Sequence, residues 1–150
     1  MLFIHELINN EIISVTFIAW FIAQILKVIL TLITDKKFDV YRFVGSGGMP
    51  SSHSALVMAL STAVGLKKGW GSVEYAISLA VAMVVMYDAS GVRRSVGKQA
   101  MILNKIIADK HNHKSLKEIR EKRLKELIGH TPIEVFAGAL LGILIANVVM

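Results

Sequence analysis

Gly47-Gly48-Met49-Pro50-Ser51-Ser52-His53-Ser54 lies between two apolar segments and separates membrane-like helices from the polar ends that join them. Glycines allow close backbone approach, proline fixes a turn, serines supply hydroxyls and a helix cap, and a histidine can move a proton. The apolar helical pattern Ala55-Leu56-Val57-Met58-Ala59-Leu60 starts at once, so Ser51 or Ser52 is the expected N-cap. Free N–H groups and the positive end of the helix dipole then lie beside His53, where a phosphate would bind well. Read alone, the run fits equally a capped turn with an incidental histidine.

Working outward, Ile12 to Ile33 supplies the ~20 residues needed to cross a bilayer. Gln24, Lys27 and Thr31 recur at helical spacing and share one face, and a polar stripe on a membrane helix turns towards protein or a wet cavity. Lys27 either snorkels to the interface or faces the active site, and the sequence leaves both open. Asp35-Lys36-Lys37-Phe38-Asp39-Val40-Tyr41-Arg42 is a polar connection into the glycine turn. A second apolar helix is expected from about Ser52 to Leu66, short for a span. Lys67-Lys68-Gly69-Trp70-Gly71-Ser72 makes a tight turn with an interfacial tryptophan. A third helix from Val73 to about Tyr87 completes an antiparallel hairpin whose ends, His53 and Asp88, fall on one side of the membrane.

Tyr87-Asp88-Ala89-Ser90-Gly91-Val92-Arg93-Arg94 is the second unusual stretch. Paired arginines suit bidentate phosphate recognition, although many such pairs are membrane-boundary anchors. Asp88 is placed to orient one of them. Val96, Ala100, Leu103 and Ile107 mark the apolar stripe of an amphipathic helix, and a second is expected from Ser115. The linker Lys110-His111-Asn112-His113-Lys114 reads as a solvated turn, and no metal site is expected. After Gly129, His130-Thr131-Pro132-Ile133-Glu134 opens a last apolar helix. Thr131 as N-cap, Pro132 as first helical residue and Glu134 as capping-box partner explain three of these residues. They leave His130 unexplained, four residues before a carboxylate that can fix its tautomer and stabilise an imidazolium. Gly138 and Gly142, on the same ridge as Glu134, allow another helix to pack closely.

Composition agrees with this organisation. At 150 residues the chain is expected to form one domain; 54% of it is hydrophobic, yet Lys and Arg outnumber Asp and Glu 17 to 11. Mean hydropathy is +0.57. A greasy and basic chain suggests a multi-pass membrane protein with positive cytoplasmic loops, or one contacting anionic lipid. No cysteine is present, which excludes disulfides, thiol catalysis and cysteine-ligated zinc. Met1-Leu2-Phe3-Ile4-His5-Glu6 has no basic leader or small-residue cleavage site, so no cleavable signal peptide is expected.

Pro50-Ser51-Ser52-His53 resembles the Pro-Ser-Gly-His motif of the type-2 phosphatidic acid phosphatase superfamily, and His130-x-x-x-Glu134 resembles the end of its third motif. Together with Asp88-Ala89-Ser90-Gly91-Val92-Arg93-Arg94, these motifs make residues 20 to 150 similar to a divergent bacterial and plant branch of that superfamily. The resemblance implies a phosphohistidine mechanism. His130 would be the nucleophile, Glu134 its orienting carboxylate and His53 the general acid, with Ser51, Ser52 and Gly48 at the phosphate. No metal or other cofactor is implied.

The chain departs from the superfamily pattern at its cations. Arg42 is followed by Phe43 rather than proline, Asp35 stands where a lysine belongs, and Leu124 replaces an arginine, Arg123 being off by one. The phosphate-binding role therefore passes to Arg93, Arg94 and Arg42, with Asp88, Lys27 and Lys37 in support. The expected fold is an all-α membrane bundle of about four transmembrane helices plus amphipathic cytoplasmic helices. Since the superfamily core has six helices, the amphipathic helices or a second subunit of a homo-oligomer would complete the site. The expected activity is a cell-membrane lipid phosphatase acting on phosphatidylglycerophosphate or phosphatidate at the cytoplasmic face. The alternatives are an undecaprenyl diphosphate phosphatase and a non-catalytic protein that binds anionic lipid. The expected partners are a lipid phosphate and the bilayer, not nucleic acid.

Overall fold

The computed structural model describes residues 5–6, 9–35, 48–110 and 129–150, and all regular structure among them is helical. The longer helices among the described residues are, in order, α1 (Glu11–Asp35), α2 (Ser52–Lys68), α3 (Val73–Ser90), α4 (Val92–Lys110) and α5 (Pro132–Val149). Their starts are set by capping residues that the sequence places just before each apolar run. Asn10 Oδ1 accepts from the Ile12 and Ile13 amides, Ser51 caps α2, and Ser72 Oγ accepts from the Tyr75 amide. Thr131 and Glu134 form a complete capping box at α5. Gly69, at φ 92°, ends α2 in a conformation that side chains rarely adopt.

The helix at the centre is α2. It packs against α1, α3 and α5, while α1 also meets α5 and α3 meets α4. Its sequence is rich in Ser, Ala, Thr and Gly, and ten of its residues are buried. Small residues suit this position because helices in lipid gain no hydrophobic driving force against one another. They associate instead by close van der Waals contact of their backbones. At Gly138 an added Cβ would run into the Ser51 carbonyl oxygen, and at Gly142 into that of Ala55, so α5 lies directly on the α2 backbone.

Large side chains point the other way. Phe17, Phe21, Ile77, Val84, Phe136 and Leu144 are exposed, whereas Val15, Ala19, Ala59, Ala63, Ile145 and Ala146 form the packed interior. Small inside and large apolar outside is the arrangement of a bundle surrounded by lipid. Among the described residues, three helical runs are long and apolar enough to cross a membrane: Glu11–Ile33, Val73–Ile106 and Pro132–Val149. The 17-residue α2, about 25 Å long, lies enclosed by the others. An all-α membrane bundle is therefore the fold.

The expectation for α4 needs correction. Among its described side chains the buried ones are Gly97, Ala100 and Asn104; of the expected apolar stripe Ala100 is buried, Val96 and Leu103 are exposed, and the Ile107 side chain lies outside what is described. The periodicity of a helix says which residues share a face, and how α4 lies on α3 decides which face is covered. The helix expected from Ser115 and the 111–114 linker lie outside the described residues.

The α2–α5 contact makes a specific demand. Gly138→Ala and Gly142→Ala should each lower thermal stability in detergent by an overpacking cost of ~1–3 kcal/mol. Gly71→Ala, where an added Cβ has nothing within 4 Å, should leave the melting temperature unchanged.

Candidate active site

Two helix starts, α2 and α5, lie side by side and are tied together through the backbone. The Ser51 amide donates to the Glu134 carbonyl at 3.0 Å, and the His130 amide donates to the Ala89 carbonyl at 3.1 Å. These two bonds bring the Pro-Ser-Ser-His turn, the end of α3 and the His130 segment to one end of the bundle. The residues concerned are far apart in sequence, and the bonds hold their backbones in fixed register.

Within this junction His130 is 4% exposed. Its Nδ1 lies 2.9 Å from Glu134 Oε2, which also accepts from the Thr131 amide at 3.2 Å. One carboxylate oxygen thus closes the capping box and orients the imidazole. Its acceptor character assigns the ring proton to Nδ1 and the lone pair to Nε2. Nε2 is buried and has no hydrogen-bond partner among the described residues. Such an atom is costly to bury unless it has work to do.

At the start of α2, Ser51 Oγ accepts from the Ser54 hydroxyl at 3.0 Å and from the Ser54 amide at 3.4 Å. Ser51, Ser52 and Ser54 are all buried. Ser51, not Ser52, is the cap, and its oxygen is engaged in that role. Ser54 is an addition to the expected set; its place three residues after the cap was the available signal. In both helices the N-cap side chain takes the third amide, that of Ser54 in α2 and that of Glu134 in α5; Pro132 has no N–H, so the first turn of α2 carries one more amide than that of α5.

Lys27 reaches this region from α1. It is 2% exposed, and the Glu134 carboxylate is within electrostatic reach of its ammonium. Gly48, at φ 91°, lies against its stem: Lys27 Cγ is 3.2 Å from where a Cβ on Gly48 would stand. The structure therefore favours the inward reading of Lys27 over a snorkelling one. His53 is exposed in the first turn of α2, Asp88 is half-buried in the last turn of α3, and Arg94 is half-buried in the first turn of α4. Arg93 lies in that same turn, its side chain outside what is described; Arg42 and Lys37 lie outside the described residues. Among the described residues, no group of three or more His, Asp or Glu is arranged to hold a metal ion.

The sequence comparison settles the family. The Divergent PAP2 family matches residues 8–145, a range that holds every helix start of the site. The chain belongs to that family. It is also 43% identical over 151 residues to "Uncharacterized membrane protein YuiD" of Bacillus subtilis (strain 168), covering 95% of this chain and 96% of that protein. No solved structure matches the chain.

For a Divergent PAP2 protein built this way, the two duties of Glu134 can be separated. Glu134→Gln keeps an acceptor for the Thr131 amide but loses the charge beside His130. It should fold with a melting temperature within a few degrees of the parent, read by thermal unfolding in detergent. Glu134→Ala, which opens the capping box, should lose ~1 kcal/mol of stability.

Proposed function

We propose that the protein is a membrane lipid phosphatase that hydrolyses a phosphomonoester through a phosphohistidine on His130. One observation carries this reading: His130 has Nδ1 fixed by a carboxylate and a buried Nε2 without a hydrogen-bond partner among the described residues. A buried imidazole serving structure alone would use both nitrogens. Membership of the Divergent PAP2 family supports the same class of chemistry.

In this mechanism His130 Nε2 attacks phosphorus as the ester P–O bond breaks, and His53 gives a proton to the leaving alcohol oxygen. Water then attacks the phosphohistidine, losing a proton to His53, which releases inorganic phosphate and restores both histidines. Glu134 holds the nucleophile and stabilises its positive charge. The Ser52 and His53 amides and the serine hydroxyls donate to the phosphoryl oxygens, where charge develops in the transition state. Arg93, Arg94 and Arg42 supply further cations for the phosphate, and the reaction needs no metal.

His130→Ala should abolish phosphate release from phosphatidylglycerophosphate and phosphatidate in the presence of EDTA. Acid-labile phosphate should be trapped on quenched parent protein and missing from that variant. Full turnover without His130 rules the mechanism out. His53→Ala should slow hydrolysis of lipid phosphomonoesters strongly and of an activated aryl phosphate much less, because the latter needs little protonation. A protein that binds these lipids and releases no phosphate is an anionic-lipid-binding protein instead.

The reading also places the site on the cytoplasmic face. In sequence, the connections next to the site, 34–51 and 88–131, hold Lys36, Lys37, Arg42 and eleven basic residues from Arg93 to Lys125, whereas the α2–α3 turn holds Lys67 and Lys68. Lysine and arginine near span ends mark the cytoplasm. That side favours lipids made on the inner leaflet over a diphosphate carrier recycled outside. With no native cysteine, Gly71→Cys and Ser115→Cys can be labelled singly in intact cells. An impermeant maleimide should reach residue 71 and not residue 115; the reverse result places the site outside and favours undecaprenyl diphosphate.

A further inference from the structure

A helix hydroxyl that serves structure turns back on the backbone. Thr16 donates to the Ile12 carbonyl and Ser90 to that of Met86, each four residues earlier. Ser72, the cap of α3, donates to the Gly69 carbonyl. Ser54 does otherwise: its hydroxyl donates to another hydroxyl, Ser51 Oγ, at 3.0 Å. Both serines are fully buried. A Cβ at Gly138 would stand 3.0 Å from Ser54 Cβ and meet the Ser51 carbonyl oxygen, so the α5 backbone covers the two together.

A hydroxyl has one proton to give and two lone pairs with which to accept. Both lone pairs of Ser51 Oγ are filled from Ser54, by its hydroxyl at 3.0 Å and its amide at 3.4 Å. The Ser51 proton itself has no acceptor among the described residues, unlike that of the Ser72 cap. Ser51 is thereby left as a donor only. Each bond that it accepts also polarises its O–H and strengthens what it can donate. A second hydroxyl that fills a lone pair of the cap adds little to helix α2, whose third amide the cap already takes. It does prepare Ser51 for an acceptor that comes from outside the helix.

We propose that Ser54 is a positioning residue for phosphate binding: by filling the second lone pair of Ser51 Oγ, it commits the Ser51 O–H to the phosphoryl oxygens. Ser54 itself touches no reacting atom and acts through Ser51 alone. This deepens the phosphatase reading and takes from it the phosphate as the acceptor, but the pairing of the two serines requires no turnover.

The test uses purified full-length protein in detergent and measures binding of inorganic phosphate and orthovanadate by calorimetry. Ser54→Ala should weaken both about fivefold, the loss of one hydrogen bond's support. Ser54→Thr keeps the hydroxyl and should bind like the parent. Ser51→Gly removes the donor at little cost to the cap and should weaken both at least as much. The deciding variant combines Ser51→Gly with Ser54→Ala. If Ser54 acts through Ser51, the pair binds as weakly as Ser51→Gly alone. Losses that add show that Ser54 affects the anion by another route and overturn the proposal. So do parent affinity in Ser54→Ala, a Ser54→Thr variant as weak as Ser54→Ala, and a parent protein that binds neither anion. In each of those cases His130-dependent release of phosphate from lipid would leave the phosphatase reading standing. Conversely, non-additive losses in a protein that hydrolyses no lipid phosphate support the serine pair and remove the enzyme reading.

Discussion

The seating of α5 on α2 governs most of what is described above. Gly138 and Gly142 let the two backbones approach until a Cβ at either position would meet a carbonyl oxygen. At that separation the Ser51 amide reaches the Glu134 carbonyl. The consequence is local in energy and long-range in sequence: a turn near residue 51 and a histidine at 130 are fixed to within a hydrogen bond. Bulkier residues at the two glycines would part the helices and separate the N-termini. The small residues of α5 therefore set the distance between the two helix starts.

The same packing explains how so polar a junction is tolerated inside an apolar bundle. On α2 the Ser54 hydroxyl donates to the capping Ser51, and Ser61 accepts from Ser78 of α3. The capping box consumes the exposed amides of α5. Nε2 of His130 is left buried without a hydrogen-bond partner among the described residues. On the far side, Glu11 and Lys67 pair at 2.6 Å in an exposed position, where water screens the interaction and little stability follows.

Much of the fold could be read from the sequence because helix starts and apolar lengths are local properties. Ser72 and Thr131 precede the runs they cap, and the observed helices begin within a residue of the expected spans. The proximity of His130 and Glu134 was equally legible, since i and i+4 share a helix face. Two features were not. The burial of Lys27 depends on how α1 is rotated against Gly48, a tertiary fact that its own polar stripe leaves ambiguous. The inward face of α4 is set by how that helix lies on α3, which a stripe containing Val96 and Leu103 does not report. The choice of Ser51 over Ser52 as cap likewise depends on the α5 backbone, which receives the Ser51 amide.

The two helix starts at the site are capped alike at their third amide: Ser51 takes that of Ser54, and Thr131 takes that of Glu134. They differ in what else the cap does. One oxygen of Glu134 both accepts from the Thr131 amide and lies 2.9 Å from His130 Nδ1. Opening this cap would therefore release the imidazole as well as the first turn of α5, whereas the serine cap of α2 bears on its own turn alone.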